Sequence, residues 1–401
     1  MATTITAGNA TNGAAISSDN TGILELKSGT GSGTTAVTVS TGQNVTFAQA
    51  ANLPNTFGFK NRIINGAMVI DQRNAGASVT PGSGSTYVID RFRYTTNQAS
   101  KITWQRSTTT ATGFINSLSA TVASAFSSAS TDFFGVEQLI EGFNVADLGW
   151  GTANAQPITL SFFVRSSLTG TYALRFTNDA ANRSYVATFT ITAANTFEQK
   201  TISIVGDTTG TWLTNNGAGV AVWFDLGSGS NFNGTAGSWA AGNFTRTSGS
   251  VNWVANAGAT FFITGVQLEK GSTATSFDVR PYGTELQLCQ RYAWALRGNT
   301  QIVCNAFMRT TAVALGAIQF PVTMRATASL TVPNVAGYFN VSAGGSDFGS
   351  PTLVVAASGA QITENNVAVT ATFASGSSTT GFGAQIQTNN ASSYVLFTAE
   401  L

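Results

Sequence analysis

Residues Pro157–Thr177 read PITLSFFVRSSLTGTYALRFT, and this stretch carries the plainest structural signal in the sequence. Apolar side chains alternate with polar ones on either side of its SSLTG segment. The residues at period two are Ile158, Leu160, Phe162 and Val164 before that segment, and Tyr172, Leu174 and Phe176 after it. Such alternation is typical of β-strands that bury one face, so the stretch predicts two strands of a sheet with an apolar inner surface.

Further strand-like segments lie on both sides of this pair, and turns rich in Gly, Asn and Ser separate them. They are Thr86–Tyr94, Lys101–Arg106, Phe133–Ile140, Ser184–Ile191, Phe197–Val205, Gly219–Leu226 and Thr260–Glu269. About nine strands at this spacing are typical of a β-sandwich, for which the jelly roll is the usual closed form. We therefore expect an all-β protein whose main domain, residues 57–280, is a jelly-roll β-sandwich.

The strand pattern breaks at residues 281–299 and then resumes. After Pro281, the sequence TELQLCQRYAWAL predicts one short helix that connects two domains, with Thr284 as its N-cap and Glu285 in its first turn. Residues 300–401 predict a second, smaller C-terminal β-sandwich. Its predicted strands are Ala312–Val322, Ser329–Pro333, Thr352–Ser358, Asn366–Ala374, Gly381–Thr388 and Ser393–Leu401.

Residues 1–56 are rich in Thr, Ala, Gly, Asn and Ser, a composition that is also found in disordered tails. Two pieces, Gly22–Ser28 and Thr35–Gln49, nevertheless alternate apolar and polar residues. Strands with so little apolar surface need partners from other chains. We therefore expect an intertwined β segment that serves as a shaft and attaches the protein to its assembly.

Composition excludes several classes of function. Charged residues make up 9% of the chain, against roughly 25% in ordinary soluble proteins, and the net charge is +1 with no basic run, so nucleic-acid binding is not expected. The chain has no histidine, which removes Ser-His-Asp triads, Cys-His dyads and His-ligated zinc. Cys289 and Cys304 are too few for a disulfide framework, and two buried free thiols are the favoured interpretation. We expect no cofactor.

The sequence also gives expectations about location. No apolar run of about 18 residues exists, so membrane insertion is not expected. The first residues, MATTITAGNA, have neither the basic region nor the apolar core of a signal peptide. A protein of this kind that acts outside a cell is expected to be made in the host cytoplasm and released by lysis inside a particle.

Three stretches carry a resemblance to a known family. They are NRIINGAM followed by DQR (Asn61–Arg73), VQLEKGSTATSF (Val266–Phe277) and RPYGTELQLCQRY (Arg280–Tyr292). Together they resemble phage and prophage tail-fibre-like proteins with a carbohydrate-binding-module-like jelly roll. The resemblance implies a homotrimeric virion protein. In related jelly rolls an Asn-Gly-x-Phe-Glu motif supplies a calcium ligand; here Met68 and Val69 stand where Phe and Glu would, so the sequence leaves a metal site open.

Candidate ligand-binding residues lie in the Gly- and Asn-rich stretch 206–253. Tryptophan faces stack on pyranose rings, amide groups bond hydroxyls, and loops on a rigid sandwich commonly carry binding sites. The predicted ligand-binding residues are Trp212, Asn215, Asn216, Trp239 and Trp253. The alternative is that these tryptophans cover sandwich edges or pack between chains. Trp104 and Trp223 lie within predicted strands and are assigned to packing.

Charged residues do not predict a catalytic centre. Glu137 and Glu141 lie four residues apart on a predicted strand, which separates them by roughly 13 Å, too far for the carboxylate pair of a glycosidase. Asp225 and Glu269 could meet across strands, but the sequence does not show it. Arg91 and Arg93 are expected to pair with acids such as Asp90 or Glu269. We therefore expect a protein that is not an enzyme.

These observations predict a bacteriophage tail-fibre or adsorption protein located in the virion. Its homotrimer would bind host surface polysaccharide, and the N-terminal segment would dock to other virion proteins of the tail, baseplate or capsid. Three tethered copies raise avidity when each glycan contact is weak. Two alternatives remain: a purely structural virion protein (a head fibre, capsid decoration or baseplate component) and a polysaccharide depolymerase.

Overall fold

The computed structural model describes residues 59–401, apart from residues 334, 350, 356–362 and 374–377, together with five strands within residues 1–58. The chain divides into two compact units, Met1–Gly58 and Phe59–Leu401. The protein is all-β, as predicted, and its described part contains a single α-helix. No helix in this part is both long and apolar enough to cross a membrane.

The strands of the first unit form one antiparallel meander in the order β1-β2-β3-β4-β5. They are β1 (Thr3–Ala7), β2 (Ala14–Ser18), β3 (Leu24–Ser28), β4 (Thr34–Val39) and β5 (Val45–Phe47). Val37 lies opposite Phe47 and Val39 opposite Val45, so the alternating residues of the sequence face each other across one hairpin. Pairing of these strands with other chains stays a prediction.

A β-sandwich of two antiparallel sheets opens the second unit. Its strands are β6 (Gly84–Ile89), β7 (Phe92–Thr96), β8 (Ile102–Ser107), β9 (Ser117–Val122), β10 (Phe134–Glu141), β11 (Ile158–Ser166), β12 (Gly170–Thr177), β13 (Arg183–Ile191), β14 (Glu198–Ile204), β15 (Ala218–Asp225), β16 (Trp239–Ala241) and β17 (Thr260–Lys270). The sheet β16-β13-β12-β15-β10-β7-β6 is called the front sheet below, and the sheet β14-β11-β17-β9-β8 the back sheet.

The core of this sandwich lies between the inner faces of the two sheets. Leu160, Phe162 and Val164 of β11 and Leu174 and Phe176 of β12 are all 0% exposed, which confirms the faces predicted from the alternation. Each such side chain contributes about 1.5–3 kcal/mol by leaving water. The residues that carry the sequence signal therefore belong to the core that stabilises the jelly-roll-like sandwich.

In the main sandwich, one predicted strand is a hairpin, and strands β9 and β16 were not predicted. Thr86–Tyr94, predicted as one strand, is a hairpin in which Asp90 and Arg91 form the turn between β6 and β7. Arg91 has a φ of 70°, which the alternation could not reveal because the apolar pattern runs on through the turn. Strand β9 was not predicted, since SLSATV has few large apolar residues.

The connector contains helix α1 (Tyr282–Gln290), shorter than predicted. The residue that precedes it is Pro281, in an extended conformation, so the predicted N-cap Thr284 is wrong and lies inside the first turn. The ring of Pro281 fixes its φ and lacks an N–H, which suits a helix boundary. The second half of the connector is strand β18 (Ala293–Arg297) rather than helix.

The remaining strands form a smaller sandwich. They are β19 (Ile302–Thr310), β20 (Val313–Gln319), β21 (Ser329–Thr331), β22 (Phe339–Ala343), β23 (Ser346–Gly349), β24 (Thr352–Val355), β25 (Asn366–Thr372), β26 (Gly383–Thr388) and β27 (Tyr394–Thr398). The sheets are β18-β27-β21 and β23-β22-β26-β19-β20-β25-β24. Cys289 and Cys304 are buried free thiols, as predicted, and burial raises the pKa of Cys304 to about 11.

The two sandwiches of the second unit are joined by buried ion pairs. Arg291 Nη2 donates to Glu141 at 2.5 Å, and Tyr292 Oη donates to the same carboxylate at 2.6 Å. Arg91 pairs with Glu400, not with Asp90 or Glu269 as expected. Asp90 instead accepts hydrogen bonds from Gln72 N and Nε2, at 2.6 and 2.9 Å. The contacts of Glu141 and Glu400 connect the two sandwiches within the described residues.

The contacts of the family-like motif before and within α1 lie in the main sandwich and the connector. Glu269 accepts hydrogen bonds from Thr275 N and Oγ1 at 2.9 and 2.7 Å, and Asp278 accepts from Asn61 N at 3.2 Å. Arg280 then pairs with Glu285 in α1 at 3.3 Å. These polar residues fasten the segment after β17 to the start of the sandwich and to α1, so the motif has a structural role.

Candidate functional site

A groove of about 300 Å³ lies on the outer face of the front sheet. Pairing of the strands brings Arg93, Glu137, Trp223 and Arg175 into one row across β7, β10, β15 and β12. Each of these residues alternates with core residues along its strand, so its side chain stands on the opposite face of the sheet. The groove is lined by Arg93, Thr95, Phe133, Glu137, Leu139, Arg175, Thr177, Asn178, Asp179, Ala181, Ala221, Trp223, Phe232, Asn243 and Thr245.

Trp223 forms the floor of the groove. Its side chain lies over Gly135 of the neighbouring strand, where a Cβ would come within 2.0 Å of the indole ring. The absence of a side chain at Gly135 therefore lets the ring lie flat on the sheet. Trp223 is 3% exposed, and its Nε1 is buried with no hydrogen-bond partner among the described residues.

Arg175 lies beside this ring, with its Cζ 5.0 Å from the ring centroid of Trp223. Nη1 donates to Asn243 Oδ1, whereas Nε is buried and has no partner in the described part of the chain. Burial lowers the pKa of Arg175 from its ordinary value, and the charges of Glu137 and Asp225 oppose that shift. Trp223 Nε1 and Arg175 Nε are thus unsatisfied donors that border the groove but are shielded from solvent, and they are two of ten unsatisfied, solvent-shielded side-chain atoms in the described part of the chain. Burying a donor without a partner costs about 1–3 kcal/mol.

The carboxylates near the groove are already paired. Glu137 accepts a hydrogen bond from Arg93 Nε at 2.8 Å and another from Thr95 Oγ1 at 3.1 Å. Asp225 lies 3.6 Å from Arg246 Nη1, and burial raises the pKa of Asp225 although that arginine opposes the shift. Neither Glu137 nor Asp225 is therefore left as an unpaired acid.

One wall of the groove is aromatic. Phe133 and Phe232 pack edge to face with ring centroids 5.9 Å apart, and both remain half-buried. Asn243 is exposed at the mouth, although its Oδ1 accepts from Arg175. Ligand pockets commonly combine apolar walls with a few convergent polar groups, and this arrangement suits a ligand with both apolar faces and hydroxyl acceptors, such as a sugar.

A second cleft of about 470 Å³ lies beside Trp239. The rings of Trp212 and Trp239 are 5.3 Å apart, and both pack edge to face on Trp150. The sequence thus predicted two residues that the structure brings together. Their indole groups already donate to backbone, Trp212 to Thr209 O at 3.0 Å and Trp239 to Val205 O at 2.9 Å.

The ion pair of this second cleft is also complete. Arg183 donates to both oxygens of Asp207, at 2.7 and 2.8 Å. The two indoles, the guanidinium and the carboxylate of this cleft therefore all have partners within the protein. The charged groups of this cleft are paired, whereas the groove of the front sheet contains Arg175, which has no carboxylate partner among the described residues, so the cleft is the weaker candidate.

The other predicted site residues lie apart from this pair. Trp253 is 0% exposed and belongs to the sandwich core, so it cannot touch a ligand in this conformation. Asn215 Oδ1 accepts a hydrogen bond from Gly217 N at 2.9 Å and shapes its own turn. The carbonyl oxygen of Asn216 accepts from Arg325 Nη1 at 3.0 Å, a contact with the smaller sandwich.

Sequence reasoning missed the groove. Trp223 was assigned to packing because it lies within a strand, but its neighbours Val222 and Phe224 are the residues that enter the core. One signal was available in the sequence. The alternation along their strands places Trp223 and Arg175 on the face opposite to the core residues. A large aromatic residue on that face needs a reason other than core packing.

The structure gives no support for a metal site in the opening motif. No group of three or more His, Cys, Asp or Glu residues within the described part of the chain could hold an ion. Asn65, with a φ of 60°, instead bonds to Ile70 and to Asp90 O through its side chain. At Gly66 a Cβ would meet Val266 O at 2.1 Å, so this motif is built around a close backbone approach.

No family model and no curated protein matches the chain. Solved structures that resemble it include tailspike protein 4 of bacteriophage CBA120, in its enzymatically active domain, with 12% identity, a TM-score of 0.26 and coverage of 52% of this chain. The match spans only 21% of that tailspike domain.

Two further matches are carbohydrate-binding modules. TmCBM61, solved with β-1,4-galactotriose, is 11% identical, with a TM-score of 0.27 and coverage of 53% of this chain and 99% of that one. A family 11 module from Clostridium thermocellum, solved with a mixed-linked tetrasaccharide, is 9% identical, with a TM-score of 0.26 and coverage of 49% and 100%. At these values the similarity transfers neither a ligand nor an activity to this chain.

Proposed function

We propose that this chain is a bacteriophage virion protein of the adsorption apparatus, and that it binds a host-surface glycan in the groove of the front sheet without cleaving it. The observation that carries the glycan-binding part is a groove in which the aromatic pair Phe133 and Phe232 stands beside Arg175, a buried guanidinium with no carboxylate partner among the described residues. A bound sugar would place its apolar face on Phe133 or Phe232 and a polar oxygen near Nη2 of Arg175, which is not among the solvent-shielded atoms.

The phage part of the proposal is supported by the sequence motifs. The stretches Val266–Phe277 and Arg280–Tyr292 resemble tail-fibre-like proteins. Their polar residues fasten the segment after β17 and helix α1 to the main sandwich, and Arg291 of the second stretch pairs with Glu141. Trimer formation through the N-terminal strands belongs to the same proposal.

The test compares binding of full-length protein and variants to intact cells of candidate host bacteria and to polysaccharide stripped from them. Phe232→Ala and Asn243→Ala remove side chains at the mouth of the groove, outside the core, and each should weaken binding by tenfold or more, the range of about 1–3 kcal/mol for a good contact. Phe143→Ala is the matched control, because Phe143 is 61% exposed and does not line the groove.

The outcomes separate the candidate functions. Loss of binding only in the groove variants supports the proposal. Loss of binding in Trp239→Ala alone would place the site in the second cleft. Wild-type protein that binds no cell and no polysaccharide would favour a purely structural virion role. Release of reducing ends from the bound polysaccharide would favour a depolymerase instead.

A further inference from the structure

The described part of the chain contains three buried arginines, and one of them differs from the others in its partners. Arg91 pairs with Glu400, and Arg246 lies 3.6 Å from Asp225. Arg175 is 7% exposed and has no carboxylate within ion-pair distance among the described residues. An unpaired buried charge is costly, so buried cations are normally paired.

The unpaired charge of Arg175 faces the groove. A guanidinium has five N–H donors in a rigid planar fork. Nη1 of Arg175 donates to Asn243, and Nε has no partner although it is buried. No hydrogen bond from Nη2 is found within the described residues, and Nη2 is not among the solvent-shielded atoms, so Nη2 is the donor of the fork that remains free. A carboxylate oxygen in the groove would accept a charge-assisted hydrogen bond from it.

The nearby acids do not neutralise this charge. Glu137 is held by Arg93 at 2.8 Å, and Asp225 by Arg246 at 3.6 Å, so each of these pairs is internally balanced. Asp179 is exposed at the rim of the groove, where water screens it. The deep end of the groove therefore retains one unbalanced positive charge on Arg175.

We propose that the groove takes an acidic glycan, one whose sugars carry a carboxylate as uronic and sialic acids do, and that Arg175 pairs with this carboxylate. The assignment rests on the proposed glycan-binding function. A carboxylate fits better than a phosphodiester because phosphate sites commonly gather several basic groups, and Arg175 is the one unpaired cation among the described residues that line this groove.

The experiment measures binding of the full chain to a fixed panel of purified polysaccharides. The panel holds acidic polymers (polygalacturonate, hyaluronate, alginate and polysialic acid), neutral polymers (dextran, mannan and galactan) and a glycerol-phosphate teichoic acid. Each acidic polymer is also tested after carbodiimide activation and borohydride reduction, which converts the carboxylate to a neutral hydroxymethyl group. We expect binding to at least one acidic polymer, with a loss of tenfold or more on reduction.

Variants assign the effect to the groove. Arg175→Gln should lose tenfold or more of the affinity for the acidic polymer and little of the residual affinity for its reduced form. Asp179→Asn should strengthen binding of the acidic polymer, since it removes a like charge from the rim. Thermal unfolding checks that each variant folds, and the reduced polymer tests the inference on the wild-type chain if Arg175→Gln does not fold.

The remaining outcomes overturn one claim or the other. Binding to neutral polymers alone, equal binding before and after reduction, or binding to the teichoic acid alone would overturn the carboxylate assignment. Glycan binding at the groove would still stand in those cases if Phe232→Ala abolished it. Binding to no polymer in the panel and to no host cell would overturn the proposed function itself.

Discussion

At the scale of single residues, Asp90 ties stability to pH. It is fully buried, and burial raises the pKa of Asp90 to about 6 from a usual 3.8, although Arg73 and Gln72 oppose the shift. Because the folded-state pKa is the higher one, protonation favours folding, and this stability is lost as pH rises from about 4 to about 6. The shift corresponds to roughly 3 kcal/mol.

Asp90→Asn should remove that part of the pH dependence. Urea unfolding of wild type and variant between pH 4 and 7 measures the free energy of unfolding at each pH. The difference between the two proteins should change by a few kcal/mol across the window. Asp179→Asn, at an exposed carboxylate, is the control and should keep the wild-type slope. An unchanged slope in Asp90→Asn would show that other groups set it.

Gly135 is the residue that lets Trp223 lie flat. A Cβ at this position would stand 2.0 Å from the indole, which must then move. Gly135→Ala should cost about 1–3 kcal/mol of stability, the usual range for overpacking, and should weaken glycan binding because the groove floor shifts. Unfolding curves and tryptophan fluorescence measure both effects.

The control for Gly135 is Gly82→Ala. A Cβ added at Gly82 would meet no heavy atom within 4 Å, and the backbone there is not left-handed, so this change should stay within about 0.5 kcal/mol of wild type. If Gly135→Ala kept wild-type stability and binding, Trp223 would have an alternative conformation of equal energy, and another residue would have to be assigned as the groove floor.

At the scale of elements, the ion pair between β10 and the residue after α1 fastens one sandwich to the other. The hydrogen bonds from Arg291 and Tyr292 hold the pKa of Glu141 below its usual range, although burial alone would raise it. A lowered pKa contributes stability above the unfolded-state value, and this contribution is lost as pH falls through the folded-state value.

Glu141→Gln should therefore destabilise the protein at pH 7 by about 1–3 kcal/mol, with a difference that shrinks in acid. Urea unfolding at pH 7 and pH 3 tests this. Asp147→Asn breaks the exposed pair with Arg62 and should stay within about 1 kcal/mol of wild type. A cost that persists unchanged in acid would assign the effect to packing rather than to charge.

The elements also show how far sequence reasoning reaches. The alternation of apolar and polar residues identified most strands of the main sandwich. Each of these strands buries one face, so apolar residues recur at every second position, as Leu160 and Phe162 do. It failed at the Asp90–Arg91 turn and at β9, where no change in apolarity marks the boundary. The Trp212–Trp239 pair was predicted from loop composition.

The groove could not be predicted in the same way. It depends on strand order, since Glu137, Trp223 and Arg175 come from β10, β15 and β12, which pair across the sheet but are far apart in sequence. Nothing in a single sequence fixes that order or shows which donors stay unpartnered. Composition excludes catalysis by histidine. Only the three-dimensional structure shows that Glu137 and Asp225 are each paired with an arginine.

At the scale of the whole molecule, the two units differ in how much apolar core each can form without other copies of the chain. Residues 59–401 contain two apolar cores, whereas the strands before them are short and rich in Thr and Ser, so we expect those strands to assemble with other copies. Light scattering should give the full chain a mass of three times 41.5 kDa and the 59–401 fragment a mass near one copy.

Binding to a polysaccharide surface should then be 10²–10⁴-fold tighter for the full chain than for the fragment, because tethering raises the effective concentration of the second and third grooves. Phe232→Ala should remove binding in both forms, which ties the avidity to the groove. A trimeric fragment would place the trimer contacts in the second unit, and a monomeric full-length chain would remove the avidity argument altogether.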